Sequence, residues 1–239
     1  MIEILNVTKR FGSKVAVNNL SLSIPRGQLF CFLGPNGAGK TTTIKMMCGL
    51  LRPDSGTIRI AGLPMERDNM EVRKILGYIP DTPFLYERLT CQEFMEFTGE
   101  LYRLPRDQVQ KEIEASFDLF DLQEHRHALI KDLSHGLRQR LAYASTFMHN
   151  PEVLLVDEPF IGLDPHSIRL IRDLLRAKTR AGMTILLTTH ILALAEDLAD
   201  RIGIISRGEL AALGTLDELM QQSRVQGRLE DVFLHLTED

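Results

Sequence analysis

The sequence predicts an α/β protein with a mainly parallel central sheet covered by helices. Short apolar runs of buried-strand type, residues 29–33, 153–156, 184–188 and 202–206, alternate with stretches of helical periodicity. That alternation calls for crossover connections and hence for parallel pairing. A glycine-rich stretch, GPNGAGKTT at residues 34–42, sits between the first apolar run and a helical segment at 42–51. Residues 90–150 are mostly helical in pattern and lie between two strand-rich halves, as an insertion would.

Taken in order, residues 2–7 and 20–24 read as strands joined by a loop containing Phe11, Gly12, Ser13 and Lys14, an N-terminal antiparallel β portion. Pro53-Asp-Ser-Gly56 is a turn signal, followed by a strand at 57–60. Another short strand at 76–79 is ended by Pro80-Asp81-Thr82-Pro83. Within the insertion, residues 93–101, 107–120 and 137–149 carry apolar residues at helical spacing. After the apolar run at 153–156, Pro165 suits the first turn of a helix whose apolar face is Ile168, Ile171, Leu174 and Leu175. A helix is expected between the strands at 184–188 and 202–206, and Arg207-Gly208 turns the chain into a strand at 209–213. Leu229, Val232, Phe233 and Leu236 recur at i, i+3, i+4 and i+7, giving a short amphipathic helix. The chain divides accordingly into a core of residues 1–83 and 151–213, a helical part at 84–150 and a helical tail at 214–239.

A chain of 239 residues with 44% apolar content can bury the core of one large α/β domain. The net charge of −4 gives no electrostatic reason to expect nucleic acid, and no basic run points to an anionic membrane surface. Cys31, Cys48 and Cys91 are scattered, form no C-x-x-C pair, and read as plain buried thiols of a reducing compartment. The first ten residues, MIEILNVTKR, lack the pattern of a signal peptide, and the apolar stretch at 184–195 is interrupted by His190 and too short to span a bilayer. The expectation is a cytoplasmic chain without direct membrane insertion. His125, His127, His149, His166 and His235 read as surface residues, having no acids or cysteines at metal-ligand spacing.

The chemistry is concentrated in three places. Residues 34–42 fit G-x-x-x-x-G-K-S/T, in which glycines let backbone N–H groups close around a polyphosphate. The contacts expected here are Gly34, Pro35, Asn36, Gly37, Ala38, Gly39, Lys40, Thr41 and Thr42. Lys40 reaches the β- and γ-phosphates, and the Thr41 hydroxyl serves as a Mg²⁺ ligand. The run at 153–156 ends in Asp157-Glu158, which puts two carboxylates at the C-terminal sheet edge where open α/β sheets bind ligands. Phosphoryl transfer uses one such acid to hold Mg²⁺ and another group to orient or deprotonate water, and these roles fall to Asp157 and Glu158. In LSHGLRQR, residues 133–140, Ser134 is a good helix cap whose hydroxyl and following N–H groups would make an anion site.

Together these segments resemble the ATP-binding cassette (ABC) ATPases, whose hallmark has the form LSGGQ-K/R-Q-R. His135 stands where that family usually has Gly, and Leu137 where it usually has Gln. The resemblance runs nearly the whole chain in family order, so the fold it implies is an ABC-type phosphate-loop core with a helical insertion. It places Phe11 as the adenine platform, Asp81 at the position normally held by Gln, and Gly162-Leu-Asp164 as the loop contacting a partner subunit. His190, in Thr188-Thr-His190, matches the histidine expected near the γ-phosphate. Asp81, if it faces the site, would attract Mg²⁺ directly or through water.

The resemblance further implies a transport-coupled ATPase using ATP and Mg²⁺. Two cassettes would pair head to tail, each nucleotide lying between one phosphate loop and Ser134 and Gly136 of the other subunit. A separate permease subunit would dock on the helical insertion and hold the chain at the cytoplasmic face of the membrane. The segments at 77–81, 84–86 and 229–234 look most like ATPases of exporters with a separate membrane half. The alternative is an ABC ATPase acting on ribosomes or DNA. Such proteins resemble two cassettes with a charged linker or one split by a coiled coil, and this chain shows neither addition.

Overall fold

The computed structural model describes residues 1–66, 68–160, 162–223 and 229–237. Strands β1 (Ile2–Phe11) and β2 (Lys14–Ile24) form an antiparallel hairpin, which β4 (Ser55–Ile60) and β5 (Leu63–Pro64) extend to a four-stranded sheet of order β2-β1-β4-β5. The expected loop across residues 8–19 is instead mostly strand, reversing at Gly12 and Ser13. Register shifts between Ile4 and Arg10 explain the difference. Asn6 and Asn19 take left-handed backbone angles, φ 49° and 48°, as bulge positions do. Each extra residue flips the side-chain alternation, so a continuous strand reads as an interrupted one.

The second sheet carries β3 (Leu29–Leu33), β6 (Leu76–Ile79), β7 (Val153–Asp157), β8 (Thr184–Thr189), β9 (Arg201–Ser206) and β10 (Glu209–Gly214), in the order β10-β9-β3-β8-β7-β6. All neighbours pair in parallel except β9 and β10, which form the hairpin expected at Arg207-Gly208. The unbroken apolar runs follow from burial on both faces. Leu29, Cys31 and Leu33 of β3 join a cluster with Phe117, Tyr143 and Ile171, whereas Phe30 and Phe32 point the other way, to Ile2, Ile24 and Ile44.

Helix α1 (Lys40–Met47) follows the glycine-rich loop, and α2 (Met70–Ile75) precedes β6. Six residues capped by the Asn69 side chain are too short to show a helical period, so α2 and β5 went unmarked in the sequence. The insertion is α3 (Cys91–Leu101), α4 (Arg106–Leu119) and α5 (His135–Phe147), close to the expected bounds. A capping box between Thr90 and Glu93 starts α3, and the Ser134 hydroxyl caps α5. Helices α6 (Pro165–Arg180) and α7 (Leu192–Leu198) flank β8, and α8 (Leu216–Ser223) and α9 (Leu229–Thr237) close the chain.

The three cysteines are free and buried. His149 departs from its surface assignment. Its ring stacks on Tyr102 at 3.8 Å between centroids, and Nε2 donates to the Leu76 carbonyl at 3.2 Å. His149, two residues past the end of α5, thus meets the end of α3 and the start of β6, which one-dimensional polarity could not show.

Candidate active site

The loop from Gly34 to Gly39 leaves β3 at the C-terminal edge of the sheet and delivers the N-terminus of α1. Two glycines make this path possible. A Cβ on Gly39, which has φ 114°, would stand 2.6 Å from the Ala16 carbonyl oxygen. A Cβ on Gly34 would collide with the Ile205 carbonyl. No side chain caps α1, so its first N–H groups stay available to an anion.

Above the loop lies a cleft of about 430 Å³, a size suited to a small-molecule ligand. It gathers Phe11, Asn36, Gly37, Ala38, Gly39, Lys40, Thr41, Thr42, Asp81, Glu158 and His190 from distant parts of the chain. Gly34 and Pro35 take part through their carbonyls, which accept hydrogen bonds from Lys40 Nζ at 2.6 and 3.3 Å. Lys40 is only 6% exposed. Burial holds its pKa below the ordinary lysine value, opposed by the charges of Glu158 and Asp157.

Asp157 ends β7 at 1% exposure, does not itself line the cleft, and accepts a hydrogen bond from Thr188 Oγ1 at 2.6 Å. Glu158 has a left-handed backbone, φ 49°, and its carboxylate meets His190 Nδ1 at 3.0 Å and Lys40 Nζ at 3.8 Å. Phe11 is half exposed, with Lys9 Nζ 5.7 Å from its ring centroid. Asp81 lines the cleft, and its Oδ1 also accepts from the Thr82 N–H at 2.7 Å.

Ser134 and Gly136 do not line this cleft. They sit at the start of α5, against the first turn of α6, where a Cβ on Gly136 would lie 3.6 Å from Asp164 Oδ2. Asp164 caps α6 through the Ser167 N–H at 3.0 Å and the Ser167 hydroxyl at 2.5 Å, which hold its carboxyl down at about 2. Arg140 Nε and Nη2 donate to Ser167 Oγ at 3.2 and 3.0 Å, and Nη1 reaches Asp121 at 3.2 Å.

Sequence reasoning missed Lys14 and Ala16, which line the cleft from β2, and the Thr188 contact to the acids. Lys14 offered one signal, a cation three residues from an exposed aromatic. The donor set also fits Mg²⁺. Among the described residues there is no cluster of three or more His, Cys, Asp or Glu that could cage a metal. Thr41, Asp157 and Asp81 offer a hydroxyl and two carboxylates beside a polyphosphate cradle, and Mg²⁺ is held by few protein groups plus phosphate oxygens and water.

A glycine loop feeding an uncapped helix at a parallel sheet edge, with a buried carboxylate ending another strand of that sheet, defines a phosphate-loop nucleotide-binding protein. The family model described as ABC transporter matches residues 17–161. The chain belongs to the ABC transporter family, as an ATP-binding and ATP-hydrolysing subunit. It is 36% identical over 237 residues to the linearmycin resistance ATP-binding protein LnrL of Bacillus subtilis (strain 168), an alignment covering 99% of this chain and 75% of that one. A solved ATP-binding subunit of an ABC transporter superposes with a TM-score of 0.92 at 32% identity, covering 99% of both chains. A dimeric ATP-binding cassette in a post-hydrolysis state, bound to ADP and Pi, has a TM-score of 0.81 at 27% identity, covering 90% of this chain and 99% of the other. No helix among the described residues is long and apolar enough to cross a membrane.

Proposed function

We propose that the chain is the motor subunit of an exporter, working as a head-to-tail dimer that sandwiches two ATP molecules and drives a separate permease. The observation that carries this reading is the convergence of Lys40, Glu158 and His190 in one cleft, while Ser134 and Gly136 lie outside it. Such a cleft contacts a triphosphate from one side only. A second copy presenting its α5 N-terminus would complete the enclosure, and the dimeric relative supports that arrangement. Outward transport is supported by the naming of LnrL for resistance, since a resistance transporter protects by removing its compound.

In this reading Phe11 stacks on adenine, and residues 34–42 supply N–H groups to the phosphates. Lys40 leaves the loop carbonyls for the β- and γ-phosphates. Thr41, Asp157 and Asp81 hold Mg²⁺, directly or through water. Bound Mg²⁺ supplies Lewis-acid stabilisation of charge on the phosphate oxygens. Glu158 accepts a proton from the attacking water, and His190, bonded to that carboxylate, holds it oriented toward the γ-phosphate. Residues 1–83 and 151–213 serve as nucleotide core, 84–150 as the permease-docking arm and 214–239 as a tail. The subunit then works at the cytoplasmic face of the membrane, held there by the permease. No feature of the described residues favours the ribosome- or DNA-directed alternative.

Purification from detergent-solubilised membranes tests the partner. A multi-spanning membrane chain should co-purify, and recovery of the ATPase with ribosomes or DNA instead would overturn the transport reading. Ser134→Arg tests the sandwich, because bulk and misdirected charge at α5 should block ATP-dependent dimerisation. Normal dimerisation and turnover would reduce LSHGLRQR to a helix cap.

A further inference from the structure

We propose that Thr188 is a positioning residue for hydrolysis, one hydroxyl that sets the metal-side acid and the water-side acid relative to each other. The inference rests on the roles given above to Asp157 and Glu158. Strands β7 and β8 run parallel with Asp157 opposite Thr188. Thr188 is fully buried. Its Oγ1 donates to Asp157 Oδ1 at 2.6 Å and accepts from the Glu158 N–H at 3.2 Å. A hydroxyl has a single proton, so donation to Asp157 leaves only its lone pairs for Glu158, and the direction of both bonds is fixed.

Both ends of this bridge are in special states. Among the described residues, Thr188 provides the hydrogen bond seen to the buried Asp157 carboxylate. Glu158 is held in the left-handed region, φ 49°, where a side chain with a Cβ stays only if its surroundings impose it. Its N–H is shared between the Thr188 carbonyl, also at 3.2 Å, and the Thr188 hydroxyl. The neighbouring Thr189 hydroxyl does something else, accepting from the Ile191 N–H at 3.0 Å. Of this threonine pair, only Thr188 bridges the two acids.

Valine has the shape of threonine without the hydroxyl and favours strands, so Thr188→Val removes the bridge while filling the space. The melting temperature should stay within a few degrees of the wild type, and ATP affinity in chelator, measured by calorimetry, should be unchanged. The gain in ATP affinity on adding Mg²⁺ should shrink about tenfold, the worth of a hydrogen bond to a charged group. Turnover should fall by about a hundredfold through kcat with little change in KM, as for a small misplacement of reacting groups. Thr188→Ser, which restores the hydroxyl, should recover both. A stable Thr188→Val protein with wild-type Mg²⁺ gain and kcat overturns the proposal. So does a Thr188→Ser protein that folds but stays as impaired as the valine variant. Asp157→Asn separates the premise from the inference. If it keeps the full Mg²⁺ gain, the metal role of Asp157 fails and this proposal with it. If it loses the gain while Thr188→Val keeps it, the inference about Thr188 alone fails.

Discussion

Lys40 Nζ lies 3.8 Å from Glu158 Oε1 while donating to the Gly34 and Pro35 carbonyls. The cation of the phosphate loop is therefore folded back on its own backbone and faces the acid proposed to act on water. A nucleotide has to offer Lys40 better partners than neutral carbonyls, and a triphosphate does so through charge-assisted hydrogen bonds.

Lys40→Ala should consequently abolish most nucleotide affinity. Loss of a hydrogen-bonded charge costs roughly 1.5–3 kcal/mol, or about ten- to a hundredfold in Kd. Calorimetry of MgATP binding checks this, and near-normal affinity would mean that the loop does not hold the phosphates through Lys40.

Glu158→Gln should keep the His190 contact and MgATP binding but nearly stop turnover, by about 10²- to 10⁴-fold, because an amide cannot take a proton from water. The stalled protein should accumulate as an ATP-dependent dimer in sedimentation. A monomer at saturating ATP counts against the sandwich.

Asp81 was the sharpest departure from the family pattern, and it lines the cleft rather than pointing only to solvent. Asp81→Asn should preserve or tighten ATP binding in chelator, since a negative charge near the phosphates is removed. It should also raise the Mg²⁺ concentration for half-maximal ATPase severalfold. An unchanged Mg²⁺ titration would leave Asp81 as a turn residue whose job is the Thr82 N–H.

His149 gives a pH dependence of stability. Burial lowers its pKa below the ordinary histidine value, with the Leu76 carbonyl opposing the shift. The fold thus favours the neutral ring, while the unfolded chain takes up a proton near pH 6.5. By linkage, the stabilisation is complete above about pH 6.5 and is lost as pH falls through the lower folded value. Melting temperatures at pH 7.5 and 5.5 should show a drop that His149→Phe, which keeps a ring against Tyr102, makes smaller. An equal drop in both proteins would place the acid sensitivity elsewhere.

The candidate site was legible where chemistry and local pattern coincide. Residues 34–42, Asp157-Glu158 and His190 each follow or end an apolar run, and β3, β7 and β8 stand out because both their faces are buried. What stayed hidden depends on register between distant segments. Thr188 meets Asp157 only because β7 and β8 pair at that step, and Ala16 meets Gly39 only through the course of β2. The bulges at Asn6 and Asn19 concealed half of the first hairpin. His149 looked polar and terminal, yet its ring is held between α3 and β6.

Arg140 joins two parts that the chain order keeps apart. Its guanidinium holds Ser167 at the head of α6 and also Asp121 and the Phe120 carbonyl behind α4. Mechanically, the first turn of α6 is bolted to the helical arm. A swing of α5 that keeps these bonds drags Asp164 along, and one that leaves α6 behind must shear them all together. The segment proposed to face a neighbour's nucleotide and the segment leading away from the chain's own acids thus ride on one lever.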